Sequence, residues 1–233
     1  MSILCSLAFL GGCSTAPEKT IVQDPDIPDS GTIEHRIEEP IDLYIEPRIP
    51  SLTSEVLPRA AGHSYPEVTV VAGPALEKAL LTVTRQHFSR ATAVTAQDRK
   101  PTLIYRLLAF KPTIVVKPGG LRSQLDVSAR VAIQVAMQTA TGEHLFSTTA
   151  IGTSHVSDTR FTPNGRLKGH GELLEAVTRN AIIDATYEIS KIFDNGGNDI
   201  DARIRASATV SDLSIETFDD VILYLRTAPP VID

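Results

Sequence analysis

The side chains able to do chemistry are few, and their spacing matches no common catalytic motif. Gly152-Thr-Ser154-His155 begins like a nucleophile elbow, but Val156 stands where the closing Gly belongs, so Ser154 is read as a strand-end serine. The six His, at positions 35, 63, 87, 144, 155 and 170, never fall four apart, which leaves no helical metal pair. His-Glu-x-x-His, Walker and dinucleotide-binding glycine patterns are absent. His87 falls on the apolar stripe of a helix and reads as a packing residue. No catalytic residue, metal or cofactor is expected. One basic, Gly-rich stretch remains, Arg160-Phe-Thr-Pro-Asn-Gly-Arg166-Leu-Lys168-Gly-His170-Gly171, directly before a helix. Backbone N–H groups at a helix start, joined by Arg160, Arg166, Lys168 and His170, make a candidate anion site, with lipid phosphate as the ligand suited to an envelope protein. The alternative is a solvated loop whose glycines permit turns. Lys117 and Arg122 around Pro118-Gly119-Gly120 form a weaker version of the same arrangement.

Both cysteines lie in the first 13 residues, Cys5 inside Ile3–Leu10 and Cys13 after Leu10-Gly11-Gly12. A short apolar run ending in small residues reads as a secretory signal. Leu10-Gly11-Gly12-Cys13 resembles the bacterial lipobox. That resemblance implies removal of residues 1–12 and acylation of Cys13 on its thiol and its new amino terminus. At about 0.8 kcal/mol per buried CH₂, one acyl chain binds marginally while two or three hold stably. Ser14, where Asp would favour inner-membrane retention, resembles the outer-membrane default. Met1-Ser2 supplies no basic leader region, so the natural start is expected upstream. Processing would leave the mature chain without a free thiol, which removes disulfides and Cys nucleophiles from consideration.

The chain has 233 residues, 42% of them hydrophobic, and a net charge of −6. That suits one globular domain with appendages and excludes a globally basic nucleic-acid binder. No apolar run approaches the 18 residues of a spanning helix. Residues 18–58 hold ten acidic against three basic residues, a net −7 that leaves +1 for the remainder. Eight of the 15 Pro fall within 17–66. Residues 13–66 are therefore expected to be an acidic spacer, extended over 14–40, with one edge strand at Ile41–Ile45 between Pro40 and Pro47.

Folding is expected to begin near Glu67. Val68–Val71 reads as a strand, and Gly73-Pro74 opens a helix over 74–90 carrying Leu76, Leu80 and Val83 on one stripe. Leu103–Phe110 and Thr113–Val116 read as strands interrupted by Lys111-Pro112. The clearest signal is period two from Leu125 to Met137, a long half-buried antiparallel strand. Ala140-Thr-Gly142-Glu143 turns it into a return strand over 145–151. A second amphipathic helix spans 172–193 and is expected to stop at Asn195-Gly196-Gly197. Alternation at 200–210 predicts a strand, and 213–226 reads as helix or strand. The expected domain is thus 67–195 with an extension at 196–233.

This order predicts an α+β fold, an antiparallel sheet with two helices packed on one face. The helix at Gly73–Phe88, the strand pair Val127–Leu145 and the Ala-rich helix Ala176–Phe193 resemble small outer-membrane lipoproteins of the YajG and LPS-assembly (LptE) kind. The resemblance implies a non-enzymatic, periplasmic accessory lipoprotein, held to the membrane by acyl chains on Cys13 and acting on an envelope protein partner rather than on nucleic acid. The competing class is a lipid- or glycan-binding module using loop 160–171. A partner-binding sheet edge at 41–45 and 200–210 is a further reading.

Overall fold

The computed structural model describes residues 18–27, 36–60, 65–95, 100–119, 121–139, 142–161 and 169–227, with backbone alone at 161 and 208–227. In chain order the elements are β1 (Glu18–Ile21), β2 (Ile41–Ile45), β3 (Thr53–Val56), β4 (Arg59–Ala60), β5 (Val68–Val71), α1 (Gly73–His87), β6 (Ala91–Ala93), β7 (Thr102–Phe110), β8 (Thr113–Lys117), β9 (Arg122–Gln138), β10 (His144–Phe161) and α2 (His170–Thr227). The fold is α+β.

The period-two run is the spine. Leu125, Val127, Ala129, Val131, Ile133, Val135 and Met137 of β9 are all buried on one face. Each of the larger ones contributes about 1.5–3 kcal/mol over an exposed side chain. β10 pairs antiparallel with β9 from end to end, and β7 and β8 share the opposite edge in tandem. The break between them is Lys111-Pro112, since Pro has no N–H for the ladder. Beyond β7, the strands β2 and β6 add in parallel, and β4 adds in parallel to β8. The large sheet is therefore antiparallel at its centre and mixed at its margin. A second sheet, ordered β1-β5-β3, packs Val68 and Val70 into the same core.

Both helices lie on the face of β9 that carries Val131 and Val135. The α1 residue Thr84 meets the buried Tyr105, whose strand partner is Val135, through hydroxyls 2.9 Å apart. Helix α2 crosses β10 at Gly152, the partner of Val131. A Cβ on Gly152 would lie 2.0 Å from the Ala181 carbonyl oxygen, so only Gly permits this approach. At the hairpin, Gly142 takes φ 86, which completes the turn.

Three expectations are corrected. Residues 18–27 and 36–60 are part of the fold, not spacer. Val22, Ile37, Ile41, Leu43, Ile49 and Val56 are buried, and that burial offsets the ordering entropy that composition alone predicts to win. Asp24 pairs with Lys78 of α1, and Glu175 of α2 accepts the Gln23 N–H at 3.2 Å. Second, β2 is an interior strand between β7 and β6, because Pro40 and Pro47 flank it without occupying ladder positions. Third, α2 runs through Asn195-Gly196-Gly197 and the whole of 200–210. Among the described glycines only Gly142 and Gly169 have positive φ, so neither Gly196 nor Gly197 forms a left-handed cap. Ile200 and Ile204 satisfy a helix at i,i+4 as readily as a strand at period two. Both are buried, and Asp199–Arg203 and Asp201–Arg205 pair at i,i+4. The two strands expected to offer a sheet edge are therefore an interior strand and a helix.

Candidate functional site

The sharpest side-chain constellation sits at the seam of the two helices. Helix α1 presents Leu76, Leu80, Val83 and His87 on its buried stripe. Helix α2 answers with Ile189, Phe193 and, four residues apart, Ser190 and Asp194. His87 Nε2 lies 2.8 Å from Ser190 Oγ, and Nδ1 lies 3.6 Å from Asp194 Oδ1. The imidazole leans on Phe193 at 5.4 Å, and Phe193 meets Phe88 edge-on at 5.1 Å. Burial pushes the His87 pKa below its ordinary value, and the Asp194 carboxylate opposes that only in part. At neutral pH the ring is uncharged.

Serine, histidine and aspartate together suggest an acyl-transfer triad, but the geometry serves a different end. Ser190 is 4% exposed and His87 1%, so the hydroxyl has no open approach for a carbonyl substrate. The Asp194 contact exceeds hydrogen-bond length, and Ser190 Oγ also faces Asp194 Oδ2 at 3.4 Å. The cluster joins α1 to α2 with a hydrogen bond where an unpaired polar group would cost about 1–3 kcal/mol. Sequence reading missed it because 103 residues separate His87 from Ser190. The only signal was a polar residue on each of two apolar stripes.

The expected anion loop is met at its two ends. Arg160 is ion-paired with Asp158 in its own strand, and its guanidinium lies where a Cβ on Gly169 would be 3.6 Å away. His170 opens α2 with 1% exposure, its Nε2 3.3 Å from Glu18 Oε2 of β1. Burial lowers the His170 pKa against the pull of Glu18, so it enters the structure as a neutral ring rather than as a loop cation. Arg166, Lys168, Cys5 and Cys13 lie outside the described residues. Lys117 pairs with Asp126 at 2.7 Å, and Arg122 is exposed. Ser154 sits within β10 opposite Ala129, half-buried.

A groove of about 280 Å³ opens where β10 meets α2. Leu145, Phe146, Ile192 and Ile200 make its walls apolar, Gly196 keeps it open, and Arg203 at its rim donates to the Leu145 carbonyl at 3.0 Å. Among the described residues no helix is long and apolar enough to cross a membrane, and no group of His, Cys, Asp and Glu has metal-site geometry.

No protein-family model and no curated protein sequence matches the chain. Among solved structures, a minor lipoprotein from Acinetobacter baumannii aligns over 69% of this chain and 92% of its own, at 11% identity and a TM-score of 0.36.

Proposed function

We propose that this protein is an outer-membrane-anchored periplasmic lipoprotein that acts without catalysis, as an accessory factor in assembly or transport of an envelope component. The observation that carries the reading is Leu10-Gly11-Gly12-Cys13 followed by Ser14. The fold adds a geometric consequence. Strand β1 starts at Glu18, five residues after Cys13, and at about 3.6 Å per residue those steps span at most ~18 Å. Acyl chains on Cys13 would hold the folded domain against the bilayer surface, not at the end of a long spacer.

The test is metabolic labelling of the natural chain with a clickable fatty acid, followed by density separation of the membranes. Label on the natural chain, none on Cys13→Ser, and sedimentation with outer membranes are the expected results. An unlabelled natural chain, or one in inner-membrane fractions, would overturn the anchor or its address. Affinity capture from crosslinked envelopes then reads the partner, and one recurring envelope protein supports the accessory role.

A second reading is a lipid- or glycan-binding module built on loop 160–171. It rests on Arg166 and Lys168 of that stretch, because Arg160 is paired with Asp158. Arg166→Ala with Lys168→Ala should abolish binding to anionic lipid, and unchanged binding removes this reading.

A further inference from the structure

The face of the large sheet turned away from the helices carries a charge pattern that the fold itself does not use. Lys111 and Arg130 are exposed and directly opposed: the Lys111 N–H donates to the Arg130 carbonyl at 2.9 Å, and the Arg130 N–H to the Lys111 carbonyl at 3.2 Å. A pair exchanging both bonds has Cα atoms about 5.5 Å apart, with both side chains on one face. Two cations in that position repel, and like charges directly opposite destabilise a sheet. Neither side chain forms an ion pair or hydrogen bond among the described residues.

The neighbours are donors. The next outward pair is Thr113 and Ser128, whose hydroxyls lie 2.7 Å apart, and Arg130 is flanked across the other edge by Thr153. Thr113 also lines a cleft of about 330 Å³ with Arg59, Pro112, Leu57 and one carboxylate, Glu55. The other outward carboxylate on this part of β9, Asp126, is already held by Lys117 and Ser157, which keep it below the usual carboxylate range. Asp184, on the helix side, accepts the Thr153 N–H at 2.8 Å. Paired cations with adjacent hydroxyls fit a phosphate group, and the cleft adjoins them through Thr113 alone.

We propose that Lys111 and Arg130, with Thr113 and Ser128, bind the phosphate of an anionic ligand on the outward face of the sheet. The site is independent of Cys13 and of loop 160–171, so it stands whether or not the chain is acylated.

The test uses the full chain carrying Cys13→Ser, so that acyl chains make no contribution, with inorganic phosphate and vesicles of phosphatidylglycerol or phosphatidylcholine as probes. Phosphate should raise the melting temperature in a saturable way. Lys111→Gln and Arg130→Gln should each weaken it about tenfold or more, the loss of one charge-assisted contact. Phosphatidylglycerol vesicles that compete with phosphate assign the site to a lipid headgroup. Phosphate binding without vesicle binding assigns it to a soluble phosphate ester, and both results support the site. The proposal is overturned if phosphate gives no shift, or if the double variant binds as the parent does. It is also overturned if Lys111→Gln alone lowers the unliganded melting temperature, because removing one of two repelling cations should leave it unchanged or raise it.

Discussion

Substituting Gly152 by Ala tests the closest contact in the fold. At an open strand position this change would stabilise by about 0.5–1 kcal/mol, because Gly is the more costly residue to order. Here the sign should reverse. The new Cβ would lie 2.0 Å from the Ala181 carbonyl oxygen and 2.3 Å from the Ala185 nitrogen, both backbone atoms of α2, against about 3.4 Å for ordinary contact. The helix must withdraw by more than an ångström. A gap of 0.5–1 Å already forfeits a quarter to a half of each dispersion contact. Val177, Ile182 and Ile189 lie buried on the same helix. Overpacking of this kind costs roughly 3 kcal/mol, which at 2–4 °C per kcal/mol lowers the melting temperature by about 6–12 °C. Thermal and urea unfolding followed by far-ultraviolet circular dichroism measure it. Ala185→Gly serves as a control: it removes only the side-chain contact at 2.8 Å, so the double variant should recover nothing. Stability within 0.5 kcal/mol of the parent, or rescue by Ala185→Gly, would refute the reasoning.

Three further outcomes are expected. His87 and His170 are buried and neutral with lowered pKa values, so the unfolded chain binds protons that the folded one refuses. Stability is then complete above about pH 6.5 and falls as the pH drops below it, by at most about 1.4 kcal/mol per pH unit for each ring. Urea midpoints at pH 7.5 and 5.5 should diverge for the natural chain and converge for the variant with both rings changed to Gln. Tyr105→Phe removes the hydroxyl that meets Thr84 Oγ1, but Thr84 still donates to the Leu80 carbonyl at 2.8 Å. The loss should therefore be modest, about 0.5–1.5 kcal/mol by denaturant titration, and a loss above 3 would mean the contact matters in another way. Gly196→Ala should stabilise by up to about 1 kcal/mol, since α2 is continuous there and the Cβ would meet only the Ile200 side chain at 3.5 Å. Destabilisation would mean that the helix ends at this glycine.

How much could be read from the sequence depended on how local the deciding interactions are. The stripe of α1, the alternation of β9, the turn at Gly142 and the Lys111-Pro112 break rest on neighbours within a few residues. They were legible as they stand. Strand β10 was visible only to residue 151, because Gly152, Ser154 and Asp158 look like loop until β9 supplies a partner for each. The tail misled because Ile200, Ala202, Ile204 and Ala206 satisfy two periods at once. Packing of Ile200 and Ile204 into the core decided for the helix.

The sequence by itself determined the α+β class, both helix starts and the buried face of β9, since hydrophobic periodicity records which side of an element leaves water. The resemblance of Leu10-Gly11-Gly12-Cys13 to a lipobox likewise rests on four consecutive residues and on no fold. Only the tertiary structure decided that residues 18–27 and 36–60 fold, because their partners lie far along the chain: β1 pairs with β5 and β2 with β7. The same holds for His87 meeting Ser190 and for Lys111 standing opposite Arg130. Each is a contact across elements whose register is set by the whole core, and no local pattern in the chain encodes it.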